Sequence, residues 1–249
     1  MSFSYQLYSS RNFPPLSDTI KMLAELGYST TEGFGGLFGS MDEVKALKAD
    51  LDANGLSMNS THIGLDMVED TPDLALEIAQ TLEIKSLYVP FIMPDDRPSD
   101  AAGWTAFGQR VEKAGKPLVD AGFGFGYHNH DFEFVEVDGV VPMDALLQGG
   151  PSLEWEMDVA WVVRGDADPI AWIERYQDRI TAAHMKDLAP AGENADEDGW
   201  ADVGHGRMDW AGIMAALRKT PAKHFVMEHD NPSDARRFAT RALASAQSY

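Results

Sequence analysis

Phe123-Gly124-Phe125-Gly126-Tyr127-His128-Asn129-His130 reads as a strand-forming run that closes on two histidines. Thirty residues after His128, the run Leu153-Glu154-Trp155-Glu156-Met157 closes on Asp158. Another 26 residues on, Ile180-Thr181-Ala182-Ala183 closes on His184. Working outward, Glu32 closes Tyr28 to Thr31, His62 follows Leu56 to Thr61 thirty residues later, and Glu228 ends Phe225 to Met227. An interval near 30 residues is the length of one strand-helix unit. Eight such units in one chain predict a closed barrel, in which the C-terminal ends of all strands meet on one face. The expected fold is α/β, a single (β/α)8 TIM barrel over residues 1–249, with residues far apart in sequence converging in one pocket.

The units read as follows. Strands are expected at Ser4 to Tyr8, Tyr28 to Glu32, Leu56 to His62, Ser86 to Pro90, Phe123 to His130, Ser152 to Asp158, Ile180 to Lys186 and His224 to Glu228. Helices are expected from Ser17-Asp18 to Gly27, Met41 to Ala53, Pro72 to Leu82, Asp100 to Ala121, Pro142 to Gln148, Asp168 to Tyr176, Trp210 to Arg218 and Pro232 to Ala244. Thr71 ahead of Pro72 is a helix-start signal. Gly103, Gly108, Gly115 and Pro117 predict a break in the fourth helix. Phe132 to Val137 alternates apolar and acidic residues, which predicts a short β extension. The loop Phe91 to Asp100 is placed to cover the pocket, and Ala189 to Asp209 reads as a long acidic loop. Strand-helix alternation without a hairpin implies a parallel sheet. No G-x-G-x-x-G follows the first strand, and neither a P-loop nor a G-x-S-x-G elbow is present.

Charge narrows the function. With 20 Lys+Arg against 40 Asp+Glu the net charge is −20, and nucleic-acid affinity rests on basic side chains that neutralise phosphates. DNA, RNA and anionic membrane surfaces are therefore not expected partners. The absence of cysteine excludes disulfides, thiolate ligands and a Cys nucleophile. Met1 to Gln6 carries no basic, apolar leader pattern, and no window approaches 18 apolar residues, so a cytoplasmic protein is expected.

His128, Asp158, His184 and Glu228 close four successive predicted strands. Two imidazoles and two carboxylates suit Mn²⁺, Co²⁺, Mg²⁺ or Zn²⁺ without selecting sharply among them. Strand alternation puts His128 with His130, His184 with Lys186 and Glu228 with Asp230, while His229 points the other way. Each residue has a plainer explanation. A strand-end histidine is more often a hydrogen-bonded structural residue, and a junction Asp is usually a turn former or cap. Asp158, however, precedes no obvious helix start, and four potential ligands on four consecutive strands exceed what turn chemistry supplies. Glu32 and His62 are expected to contact a polar substrate from the opposite wall, with Trp161, Trp200 and Phe91 as apolar walls. Glu154, Glu156 and Asp158 alternate on one face, a costly arrangement in a barrel interior unless each is paired.

Across these stretches the sequence resembles the xylose-isomerase-like TIM-barrel superfamily, in its sugar phosphate isomerase/epimerase branch. The stretches are Tyr5 to Arg11, Gly126 to Phe134, Trp155 to Asp158, His184 to Asp187, Val203-Gly204-His205-Gly206 and Met227 to Asp230. The resemblance implies one divalent metal at the ends of strands 5 to 8. Related ketose epimerases use Glu, Asp, His and Glu; Asp158, His184 and Glu228 match the last three, whereas His128 stands where those enzymes carry Glu. Glu133 resembles a later Glu that touches substrate, and His205 falls in a matching stretch as a further substrate contact. Trp161 replaces a metal-binding His of the related apurinic endonucleases, which argues against a multi-metal nuclease.

The implied reaction is isomerisation or epimerisation of a ketose or keto-sugar through an enediolate. Glu228 moves the α-proton, His128 or His130 acts on the other face, and Lys186 neutralises oxyanion charge. Two alternatives use the same residues: a keto-sugar or inosose dehydratase, and a non-catalytic barrel that binds a sugar or a partner subunit. The expected partner is a small sugar; self-association into a homo-oligomer is left open.

Overall fold

The computed structural model describes residues 2–249. Eight parallel strands close into a barrel: β1 (Ser2–Gln6), β2 (Thr30–Gly33), β3 (Ser57–His62), β4 (Ser86–Val89), β5 (Gly124–His128), β6 (Glu154–Asp158), β7 (Ile180–Met185) and β10 (His224–Met227). Around the wall β1 pairs with β2 and with β10, which closes the cylinder. The other two strands, β8 (Asp187–Leu188) and β9 (Trp200–Ala201), form a small antiparallel pair beyond the end of β7. That pair lies partly inside the stretch read from sequence as an acidic loop. The Asp187 carboxylate organises it by accepting from the backbone of Leu188, Gly204 and Gly206 and from Trp210 Nε1 at 2.8 Å.

The outer layer comprises α1 (Leu16–Leu26), α2 (Met41–Ala53), α3 (Leu65–Asp70), α4 (Pro72–Thr81), α5 (Ala101–Asp120), α6 (Pro142–Gly149), α7 (Val159–Arg164), α8 (Pro169–Arg175), α9 (Trp210–Leu217) and α10 (Ala235–Ala246). Their apolar stripes pack on the outward residues of the strands, where Phe125, Tyr127, Trp155, Met157, Met185, Phe225 and Met227 are buried. Burial of this apolar layer is the main favourable term in folding.

Several expectations shift. α5 runs unbroken through Pro117. Its glycines are contact points: a Cβ on Gly108 would lie 2.1 Å from Leu146 O on α6, and one on Gly115 would lie 1.9 Å from the Phe125 ring of β5. Close packing thus accounts for them, and the helix has no break. The first strand ends at Gln6, because the Gln6 side chain accepts from Tyr8 N and turns the chain into a short 3-10 turn. Phe132–Phe134 is likewise a 3-10 turn, and only a Val137–Val140 bridge remains of the expected β extension. Here the Glu133 carboxylate folds back onto His130 N. α3 and α7 were not anticipated. The last helix begins at Ala235, where Asp234 caps Arg237 N, and not at Pro232.

Candidate active site

Side chains that point into the barrel build the site in layers. Glu154, Glu156 and Asp158 rise along β6 from floor to mouth, as their alternation requires, and each finds different partners. Glu154 accepts from Thr181 Oγ1 at 2.9 Å and from Tyr88 OH at 3.3 Å. Glu156 accepts across the barrel from His62 Nε2 at 2.6 Å, with His128 Nδ1 and His184 Nε2 both 3.3 Å away. Asp158 sits at the mouth. Each of the acids that looked costly in sequence thus has a partner, although one oxygen of Glu156 and one of Asp158 stay without one.

The four strand-end residues His128, Asp158, His184 and Glu228 do converge. Their ligand atoms lie within 4.8 Å of one another, and all four residues are buried. Asp158 also caps α7, accepting from Ala160 N and Trp161 N at 2.9 Å through Oδ1. The helix start that sequence reading missed is therefore present, and Asp158 has both roles. Its Oδ2 is buried with no hydrogen-bond partner. A buried carboxylate oxygen left open beside two imidazoles and a second carboxylate is the donor set of a divalent cation.

Second partners fix each side chain. His184 donates from Nε2 to Glu32 Oε1 at 2.6 Å, which turns Nδ1 toward Glu228 Oε2 at 3.0 Å. Glu32 in turn accepts from Gln6 Nε2 at 2.8 Å and from Ser60 Oγ. Glu32 is fully buried behind His184 and takes no part in the cavity lining. Asn129 locks β5 to β6: its Oδ1 accepts from Asp158 N and Trp155 Nε1, and its Nδ2 donates to Asp158 O. Lys186 is buried over the Trp200 ring, 4.3 Å from its centroid. Its ammonium donates to Asp230 Oδ1 at 2.5 Å and Glu228 Oε2 at 3.2 Å, and stands 3.9 Å from Asp158 Oδ2.

These contacts set the charge states. Burial opposes charge on Lys186 and on His184, yet the surrounding carboxylates outweigh it and raise both. Burial would raise Glu228, but Lys186 and His184 hold it well below the usual carboxylate range. Asp158 is pushed up to about 7, by burial above all. Burial and the neighbouring His184 lower His128 to about 3, and burial with His128 lowers His130 well below an ordinary imidazole. His128 and His130 are therefore neutral bases at pH 7.

A cavity of about 500 Å³ opens above this cluster. Tyr8, Phe34 and Phe91 form its apolar wall, and His62, His128, His130, Glu228 and Asp230 its polar one. Phe91 comes from the loop expected to cover the pocket and touches His130, with ring centroids 5.0 Å apart. Trp161 packs against His130 at the same distance. Glu133 is fully buried: it accepts from Tyr127 OH at 2.7 Å and His130 N at 2.8 Å, and it positions the His130 backbone without facing the cavity. His205 is exposed and borders a different surface cavity with Asp202 and Arg237. The structure thus places neither Glu133 nor His205 at the main pocket. Gln6, Ser60 and Asn129 were not singled out in sequence, because polar residues inside strands carry no chemical signature of their own.

Comparison with known proteins agrees with this architecture. The model of the xylose isomerase-like TIM barrel matches residues 20–247. A sugar phosphate isomerase/epimerase from Parabacteroides distasonis superposes with a TM-score of 0.82 at 22% identity, covering 99% of this chain and 93% of that one. The IolI protein with a bound zinc atom gives 0.78 at 12% identity, over 100% and 97% of the two chains. D-psicose 3-epimerase in the presence of D-fructose gives 0.72 at 14%, over 99% and 97%. No curated protein matches the sequence. At these identities the structural likeness establishes the fold.

Proposed function

The chain belongs to the xylose isomerase-like TIM barrel family, and from that premise we propose a divalent-metal-dependent isomerase or epimerase of a ketose or keto-sugar. The observation that carries this reading is the gathering of His128, Asp158, His184 and Glu228 at the C-terminal mouth of the barrel, with an open Asp158 oxygen among them. Those four residues are the proposed ligands, and the zinc atom bound by the IolI protein, which shares this fold, supports a metal here. A cation held there would supply Lewis-acid stabilisation of the negative charge that develops on the substrate oxygens.

The chain's own groups do the rest. Glu228, kept ionised by Lys186 and His184, faces the cavity and removes the proton α to the carbonyl. His130, neutral and on the opposite β5 side of the cavity, exchanges a proton on the other face, with His128 beneath it. The Lys186 ammonium lies beside Glu228 and outside the cavity lining, and it offsets oxyanion charge from there without touching the substrate. His62 also lines the cavity, and we assign it a contact to a substrate hydroxyl. The cavity lining contains no lysine or arginine, which favours an unphosphorylated sugar.

Incubation of Mn²⁺-loaded protein with ketoses and 3-keto-glycosides in D₂O, followed by NMR, tests the proposal. Deuterium is expected at the carbon α to the carbonyl of at least one substrate. No exchange across the panel, with metal bound, would remove the reading. An ultraviolet-absorbing enone product would redirect it to elimination.

A further inference from the structure

Polar groups occupy only part of the wall of the main cavity. Tyr8, Phe34, Pro90 and Phe91 line the rest. They follow β1, β2 and β4, so this apolar wall is built where the chain leaves the barrel strands. Its rings are held by other side chains. Tyr8 and Phe34 meet edge to face with centroids 5.3 Å apart, and the Arg11 guanidinium stacks 3.9 Å from the Tyr8 centroid. Phe91 meets Phe132 edge to face at 5.7 Å. Arg97, whose Nε donates to Ile92 O, lies 3.5 Å from the Phe132 centroid. Rings packed in this way lose little side-chain freedom when a ligand covers them.

Such a wall suits a bare sugar poorly. A free ketose carries a hydroxyl on nearly every carbon, and hydroxyls pressed against Tyr8, Phe34 and Phe91 would lose water without gaining partners. The cavity of about 500 Å³ also exceeds the volume of one hexose. Phe91 is 40% exposed and Met93, two residues further along the same loop, is 61% exposed. Exposed apolar surface beside a polar site marks a place that a ligand covers. Charge restricts what that ligand carries. An anionic substituent would meet Glu228 and Asp230 with no lysine or arginine in the lining, whereas a neutral aromatic group meets no such repulsion and packs well on aromatic side chains.

We propose that the substrate is a keto-sugar glycoside with a neutral, planar, apolar aglycone. The sugar lies over Glu228 and the histidines, and the aglycone lies against Tyr8, Phe34 and Phe91. The inference rests on the proposed keto-sugar reading and narrows it from free ketoses to aryl glycosides.

Binding without turnover tests it. The probes are 4-nitrophenyl β-D-glucopyranoside and methyl β-D-glucopyranoside, which share one sugar and carry no carbonyl. Each is titrated by calorimetry into Mn²⁺-loaded protein. The aryl glycoside is expected to bind about 10-fold tighter or more, through burial of its ring on the apolar wall. Phe34→Ala and Phe91→Ala are each expected to erase most of that preference while leaving the methyl glycoside little changed. Val135→Ser, at an exposed apolar residue outside the lining, is expected to keep it. Circular dichroism confirms folding, and if one aromatic variant fails to fold the other carries the comparison. Equal affinity for the two probes, binding of neither, or a preference untouched by the aromatic variants overturns the aglycone assignment. Each of those results leaves the proposed function standing, since deuterium exchange tests that separately. An aryl preference lost in the aromatic variants, alongside no exchange on any keto-sugar, removes the reaction and keeps the aglycone wall.

Discussion

Replacing Glu32 by Gln tests how the barrel aims His184. The substitution keeps volume and removes one charge. Glu32 Oε1 now accepts from His184 Nε2–H at 2.6 Å, a charge-assisted bond that aims Nδ1 at Glu228 Oε2 and the proposed cation position. Such bonds contribute about 1.5–3 kcal/mol. Carboxylates behind a ligating imidazole typically alter metal affinity by about 10–100-fold, which is the same range at ~1.4 kcal/mol per decade. Gln6 Nε2 donates to Glu32 Oε1 and Ser60 Oγ to Oε2; a glutamine with its oxygen toward His184 and Gln6 turns its nitrogen to Ser60 Oγ, a hydroxyl that also accepts, so the fold is expected to be kept. The assay is Mn²⁺ titration calorimetry on stripped protein, with urea unfolding of both proteins to separate stability from binding. Affinity is expected to fall about 10–100-fold. In a His184→Ala background the same change is expected to have little further effect on affinity, because the coupling runs through that one ring. An unchanged Kd in Glu32→Gln, or an equal loss with and without His184, would refute the argument.

Three further outcomes follow from other contacts. Asp158→Asn keeps an oxygen to cap α7 at Ala160 and Trp161 but loses the open anionic oxygen, so it is expected to fold normally, bind Mn²⁺ weakly and lose turnover; Glu228→Gln is expected to lose turnover as well, and full activity in either removes the site assignment. Gly108→Ala drives a methyl to 2.1 Å from Leu146 O and is expected to cost about 1–3 kcal/mol, a drop of several degrees in Tm by calorimetry, whereas an unchanged Tm would contradict the packing account. His229 is buried, accepts from Asn231 N at Nδ1, and is lowered to about 4, chiefly by burial. Because its folded pKa lies below the unfolded value of ~6.5, it favours the fold above that value and the contribution fades as pH falls toward 4. The stability gap between wild type and His229→Gln is therefore expected to shrink by about 2 kcal/mol between pH 7 and pH 4.5; urea unfolding that gives a constant gap would contradict it.

Much of this was legible before any coordinates, and the reason is periodicity. A strand that is followed by a helix and ends on a chemical residue recurs along the chain, so Asp158, His184 and Glu228 could be placed on one face from the strand-helix alternation. Residues whose role depends on cross-barrel distance were not legible in the same way. Glu156 meets His62 from the other side of the cylinder, 94 positions away, and no local pattern encodes that meeting. Glu32 was expected at the cavity wall because it ends a strand. The register of β2 against β3 brings it level with Ser60, and its hydrogen bonds to Ser60, Gln6 and His184 tie it down behind the site. Glu133 and His205 were carried over by likeness of short stretches, and such likeness conveys position along the chain but not the direction of a side chain. Asp158 shows the opposite error: its helix was unrecognised because Val159-Ala160-Trp161-Val162-Val163-Arg164 has no polar stripe to mark a helix, being buried at Val159, Ala160 and Val162. A carboxylate with one oxygen on that helix and the other facing the imidazoles ties the cap to the metal-binding geometry. The backbone of α7 thereby fixes the angle at which Asp158 meets His184, and a substitution that loosens α7 is expected to act on the site through that single side chain.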